Sequence, residues 1–497
     1  MPRSKLFATL TVALLGAAAL WYLWVITSAK LEWGGASPDQ RTLGTVQATE
    51  QRAMAQYCTG VVVTPKATWL VARLDERSKT EPVAAGVQDL DALVRGQPTP
   101  EETEEEQGSG AFSAYFVRGE KELTSISRLD ANGQFQTVAQ LSEAACLVAS
   151  PDGQQVFLLT GLKRPAPAKG STDSLTQTVV LRSDDQGQSW DWLRQGLFPE
   201  VEQQAWSLQT YFHGADDVWA WGRPESLDDV IDQDQPRALS TGVSYSADRG
   251  ASSAPIFAAE SLLLTGAYAR AKRPEIVQWQ DEAEDHGEIN TQISQLDGQH
   301  AVIWVSQRFW GRNPDGVGDN LAFNVTTRAP LSREVGGPWQ VGAVQHEDGL
   351  YIGQLRDNGT GRLVGLIDQG NQGRDEVAEL DAEQRTWKVL GALPNVFAPL
   401  SSDRPVRVSQ FQVGRNSLLV NTSSEHHPPR WLYWGADASI SADGVFYSRD
   451  WGHSWQQLAI GGYLGILGFQ GAEDRVIWAK GNWYDSRDLG IYTYGLK

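Results

Sequence analysis

The chain has 497 residues, 41% hydrophobic and 21% charged, the balance of a folded body rather than a disordered or fibrous one. Its 42 Lys and Arg stand against 61 Asp and Glu, a formal net charge of −19. That excess argues against a nucleic-acid binder, because a phosphate backbone needs a basic surface to release its counterions; it serves solubility, and otherwise attraction to a basic partner.

Residues 1–5 form a short tip carrying Arg3 and Lys5, and the following stretch Leu6–Ala29 contains no charge. At 1.5 Å per residue such a stretch crosses a hydrocarbon core of about 30 Å. With positive charge before it and Trp21, Tyr22 and Trp24 resembling an interfacial belt, it reads as a single-pass transmembrane signal anchor. That places the tip in the cytoplasm of a bacterium and the body in the periplasm, on the inner membrane. The alternative is a signal peptide cleaved after Thr27-Ser28-Ala29, which secretes the body.

Residues 30–56 are polar and read as a stalk, and residues 57–497 as an all-β body. Short β-branched or alternating runs such as "TGVVVTP", "TWLVARL", "DDVWAWG", "HAVIWVSQRFW" and "DRVIWAKG" recur between Gly, Pro, Asn and Asp turns. The stretch 96–110, "GQPTPEETEEEQGSG", has no apolar anchors and reads as a disordered acidic loop. Cys58 and Cys146 are the only two cysteines. An exported compartment favours a disulfide between them, contributing about 4–5 kcal/mol in the chain-entropy model, with two buried thiols as the alternative.

Three stretches repeat one pattern. Ser183, Asp185, Gly187, Ser189 and Trp190 match Ser448, Asp450, Gly452, Ser454 and Trp455, and a third copy keeps Ser246, Asp248, Gly250 and Ser252 without the Trp. "GVSYS" and "GVFYS" lead into two of them, so a strand runs into each turn. The pattern resembles the Asp box, or bacterial neuraminidase repeat. The resemblance implies a β-propeller in which each box is the hairpin between the third and fourth strands of a blade. The intervals, with further hairpins at Ser125–Phe135, Asn324–Trp339 and Glu379–Trp387, favour seven blades. The C-terminal run "LGIYTYGLK" ends where a fourth strand is owed, and an N-terminal strand, "TGVVVTP" or "TWLVARL", is expected to complete the last blade.

The motif loops do not fit calcium or phosphate chemistry. Arg182 and Tyr447 stand where an EF-hand would open with an acidic residue, and no glycine-rich loop precedes a helix. The resemblance to sialidases fails at its Arg-Ile-Pro motif, which is missing, so no catalytic residue carries over and no cofactor or metal ligand is assigned. Two aromatic loops are candidate binding surfaces: Phe309, Trp310 and Arg312, and Arg430, Trp431, Tyr433 and Trp434. The expected function is a noncatalytic platform for an envelope or periplasmic protein, including an immunity-type inhibitor. The alternative is a sialidase-like glycoside hydrolase or lyase, or a glycan-binding protein, acting on envelope glycans.

Overall fold

A computed structural model describes residues 13, 16–24, 40–45, 52–54, 61–74, 123–141, 145–150, 152–164, 175–193, 208–214, 216–222, 242–276, 278–279, 287–312, 321–358, 361–370, 375–381, 386–397, 406–427, 440–458, 466–470, 475–480 and 490–496. These residues form seven antiparallel sheets. Strand β1 (Gln40–Thr45) stands apart in sequence from its own sheet. Sheet 1 holds β2 (Arg52–Met54), β3 (Val61–Val63), β4 (Thr68–Leu74), β5 (Leu123–Leu129) and β6 (Phe135–Leu141). Sheet 2 holds β7 (Ala145–Ala149), β8 (Val156–Arg164), β9 (Leu175–Ser183) and β10 (Asp191–Trp192), and sheet 3 holds β11 (Leu208–His213), β12 (Asp217–Gly222), β13 (Gly242–Ser246) and β14 (Ala254–Ala258). Sheet 4 is the widest, with β15 (Gln278–Trp279), β16 (Glu288–Gln295), β17 (His300–Arg312), β18 (Leu321–Ser332), β19 (Gln340–Val341) and β20 (Gln345–Asp348).

Sheet 5 holds β21 (Leu350–Asp357), β22 (Leu363–Gln369), β23 (Glu376–Asp381) and β24 (Thr386–Ala392), and sheet 6 holds β25 (Arg407–Val413), β26 (Leu418–His426), β27 (Ile440–Ser448) and β28 (Gln456–Leu458). Sheet 7 is assembled from both ends of the chain: β29 (Ile466–Gln470), β30 (Arg475–Lys480) and β31 (Gly490–Gly495) are completed by β1, in the order β1-β31-β30-β29. The architecture is an all-β propeller, with six sheets continuous in sequence and one that joins the ends.

Apolar clusters between sheets hold the ring. Trp69, Val71 and Ile126 of sheet 1 pack on Leu147, Val156 and Leu181 of sheet 2, and Phe157 and Leu159 of sheet 2 on Val218 and Ala220 of sheet 3. Equivalent clusters join sheets 3 and 4, 4 and 5, 5 and 6, and 6 and 7. β29 packs beside β3, which brings the last sheet against the first. Trp69, Trp219 and Trp478 are fully buried; at ~25 cal/mol per Å² and roughly 150–250 Å² each, such side chains contribute about 4–6 kcal/mol of gross burial before the cost of ordering them.

Two expectations change. The closing strand is β1, not "TGVVVTP" or "TWLVARL", which supply β3 and β4 of sheet 1. The expected stalk, residues 30–56, therefore contributes β1 and β2 to the sheets; its polar pattern misled because outer and short edge strands need little apolar surface. Among the described residues no helix is long and apolar enough to cross a membrane, and part of Leu6–Ala29 lies outside them. Residues 16–24 are helical, and the Tyr22 hydroxyl lies 3.0 Å from Nε2 of His426, with the two rings edge to face at 5.7 Å. Cys146 on β7 is disulfide-bonded; Cys58 and the acidic stretch 96–110 lie outside the described residues.

Candidate functional site

The repeated turns are one structure in three copies. In each, the first Ser hydroxyl donates to Asp Oδ1 at 2.8 Å, from Ser183 to Asp185, Ser246 to Asp248 and Ser448 to Asp450. The same hydroxyl accepts the Gly amide, from Gly187, Gly250 and Gly452, at 2.7–2.8 Å. The last Ser closes the loop by donating its amide to Oδ1 and its hydroxyl to Oδ2, as Ser189, Ser252 and Ser454. Gln186, Arg249 and Trp451 take φ near +62°, +62° and +61°, a region unfavourable to non-glycine residues that the carboxylate's bonds hold in place. Each turn joins the third and fourth strands of sheets 2, 3 and 6. Trp190 packs against the cluster between sheets 1 and 2, while the Trp455 indole donates to the Ala392 carbonyl oxygen of sheet 5 at 3.0 Å. These residues therefore build the fold: their oxygens are spent on their own turns, and Trp190 and Trp455 tie sheets 2 and 6 to the sheets before them.

Two kinds of connection leave the sheets. The first-to-second and third-to-fourth strand turns lie on the face of the repeated motif, and the second-to-third strand loops open on the opposite face. At that opposite face, the junction of sheets 4 and 5 gathers the most chemistry. The pairing of β16, β17 and β18 sets Glu288 beside Arg308 and Arg308 beside Asn324, while Tyr351 pairs with Asp368 across β21 and β22. Gly287, at φ +67°, makes this approach possible, since a Cβ there would meet the Arg308 carbonyl oxygen at 2.5 Å.

Arg308 reaches from sheet 4 into sheet 5. Its Nη2 donates to Asp368 Oδ2 at 3.1 Å and its Nε to Asn324 Oδ1 at 3.1 Å, while Asn324 Nδ2 donates to the same Asp368 oxygen at 2.7 Å. The pair is deeply enclosed, with side-chain exposures of 12% for Arg308 and 0% for Asp368. The guanidinium also stacks over the Tyr351 ring, 4.1 Å from its centroid, and lies 5.4 Å from that of Trp310. The Tyr351 hydroxyl donates to Glu288 Oε1 at 3.1 Å. Asp375, half-buried nearby, is pushed up from the ordinary carboxylate range first by burial and further by the charges of Asp368 and Glu288, with Arg308 opposing. One carboxylate, Asp368, thus holds the guanidinium directly, with Glu288 opposite Arg308 in the strand register and Asp375 near enough to feel its charge. The arrangement can hold a cationic group, or keep one carboxyl protonated beside an ionised one.

Of the proposed binding residues, Trp310 joins this cluster. Phe309 does not: it is 1% exposed and packs with Ala269, Phe323 and Val325. The reason is that β17 runs unbroken through Arg312, so alternation turns Phe309 inward where a loop was expected. Arg312 ends that strand opposite Gln278, and Arg430, Trp431, Tyr433 and Trp434 lie outside the described residues. Arg308, Asp368, Tyr351 and Glu288 carry no sequence signal of their own, since they meet only through sheet register.

No protein-family model matches the chain and no curated protein matches it. Solved structures do. Oligogalacturonate lyase from Vibrio parahaemolyticus is 8% identical, with 92% of this chain and 93% of that chain covered at a TM-score of 0.42. Pyrococcus horikoshii acylaminoacyl peptidase is 10% identical at a TM-score of 0.40, over 90% of this chain; the chain spans about half the length of that enzyme, 51%. An α-L-arabinofuranosidase from Fusarium graminearum is 9% identical, with 82% of this chain and 98% of that chain covered at a TM-score of 0.32.

Proposed function

We propose that the protein is a membrane-anchored periplasmic propeller of seven blades that serves as a noncatalytic platform, taking a basic segment of an envelope protein at the junction of sheets 4 and 5. The observation that supports this reading most is the state of Asp368, fully enclosed and held by both Arg308 and Asn324. Glycosidic hydrolysis needs an ionised carboxylate able to reach its substrate, and this one is committed to its neighbours. What meets solvent is the exposed Glu288 beside the half-buried Trp310 and Asp375. Negative charge beside an aromatic surface suits Lys and Arg side chains, and the net charge of −19 draws them in. The bonded Cys146 fits an oxidising compartment, and the uncharged Leu6–Ala29 fits an anchor. An assembly subunit and an immunity-type inhibitor would use the same surface.

The raised Asp375 favours a second reading, a glycoside hydrolase or lyase acting on envelope glycans, with Asp375 as the proton donor. One experiment separates them. Mild cross-linking and pull-down from detergent-solubilised membranes is expected to recover a protein partner, and Glu288→Gln with Trp310→Ala to lose it at unchanged melting temperature. Recovery of no partner, together with sugar release from envelope glycans that Asp375→Asn abolishes, replaces the platform with the enzyme.

A further inference from the structure

Tyr22 seats the helix over residues 16–24 on the ring. Its hydroxyl stands 3.0 Å from Nε2 of His426, the last residue of β26, and the two rings meet edge to face at 5.7 Å. His426 is buried and backed by Phe397, whose ring centroid lies 5.6 Å away, so the imidazole is a fixed point of sheet 6 and not a mobile surface group. The contact joins residues 404 positions apart.

The same helix turns an apolar face the other way. At about 100° per residue, Leu20 and Trp24 lie one above the other, roughly 160° from Tyr22, with Trp21 and Leu23 to either side of them. Among residues 16–24 Tyr22 alone is half-buried, whereas Leu20, Trp21, Leu23 and Trp24 are 70%, 48%, 56% and 64% exposed. Four large apolar side chains side by side are costly to leave in water. A lipid bilayer fits that face, because it is continuous with the uncharged stretch Leu6–Ala29. At 1.5 Å per residue the sequence from Leu6 to Trp24 measures about 28 Å, close to the thickness of a hydrocarbon core, which sets both tryptophans at the depth of the headgroups. The ring has no electrostatic reason of its own to lie there, since a net charge of −19 is repelled by anionic lipid. A specific contact has to hold it.

We propose that Tyr22 and His426 form a latch that holds the propeller against the bilayer, with the face of Leu20, Trp21, Leu23 and Trp24 turned to lipid and the end of β26 turned to the headgroups. The latch rests on the anchored reading above and refines it. β26 is the second strand of sheet 6, so its end lies on the face where the junction of sheets 4 and 5 also opens. The platform therefore takes its partner at the membrane surface, from a segment that adjoins the bilayer.

The test uses the full chain in bacterial membranes, with the photoreactive side chain of p-azidophenylalanine in place of Tyr22 or, separately, of Leu20. After a carbonate wash and illumination, residue 22 is expected to cross-link to the peptide carrying His426, and residue 20 to lipid. Cross-links from residue 22 to lipid alone, or from residue 20 to the propeller, overturn the latch while a chain retained in the washed membranes leaves the anchor standing. A chain released by the wash overturns the anchor instead, and the lipid-facing role of the helix with it. Should either replacement fail to fold, hydrogen exchange in lipid vesicles supplies the second measurement. Tyr22→Phe is expected to lose protection at the end of β26 relative to wild type, and equal protection refutes the latch.

Discussion

Asp450 holds its turn with both carboxylate oxygens, and the hydrogen bonds from Ser454 pull its carboxyl down to about 2. Because an unfolded Asp titrates near ~3.9, this carboxylate stabilises the fold fully above about pH 4 and loses that contribution as the pH falls through 2. Asp450→Ala is therefore expected to lower the melting temperature at neutral pH, at a cost of about 1–2 kcal/mol. The gap from wild type should narrow on acidification towards pH 2; thermal scans across that range check it, and a gap constant with pH would count against the carboxylate's role. Arg308 is a harsher case. Arg308→Met leaves Asp368 enclosed without its cation, and about 3–5 kcal/mol of stability should go, as broken buried pairs commonly show. Denaturant melts of that variant, with Arg308→Met/Asp368→Leu recovering part of the loss, test it. The two cases also differ in what the sequence discloses. Asp450 and its partners lie within four residues, so spacing alone displays the bonding pattern. Arg308 and Asp368 are 60 positions apart on different sheets, and no local pattern can pair them.

At the scale of strands and turns, the hairpins were readable and the strand ends were not. Gly, Asp and Ser mark where the chain reverses, so β5 to β6, β18 to β19 and β23 to β24 fall at the expected third-to-fourth strand positions. Where a strand stops depends on what pairs with it. β17 continues through Trp310 to Arg312 because β18 and β15 both supply partners there, which turned a supposed loop into the wall of the site. The neighbouring sheets also meet through backbone. A Cβ on Gly391 of β24 would collide with the Gly452 carbonyl oxygen in the repeated turn of sheet 6. Backbone cannot rotate aside as a side chain can, so Gly391→Ala should cost about 1–3 kcal/mol, the range for overpacking. Gly361→Ala, where a Cβ meets open space but φ is +86°, separates strain from collision, and its melting temperature should fall less.

The whole molecule depends on one long-range pairing. Gln40 lies opposite Tyr494 and Thr45 opposite Gly490, with a single bulge between them. A chain beginning at residue 38 keeps β1, whereas one beginning at residue 47 leaves β31 as an unpaired edge. The shorter chain is expected to melt earlier and to form oligomers by size-exclusion chromatography, since an open edge invites pairing with another copy; a monomer of unchanged melting temperature would refute closure by β1. The ring was legible as a repeat, because turns recur at regular intervals. Its clasp was not, because Gln40–Thr45 has the composition of a linker and becomes a strand only beside β31.

That clasp orders events in time. Each of the other sheets can form as soon as its own stretch of chain emerges, but β1 must wait, unpaired, until Gly490–Gly495 has been made. Contacts of such separation form slowly because the intervening chain must first be brought together. The first of the described strands to be made is therefore the last to pair, and a late, concentration-independent phase should mark the moment the circle shuts.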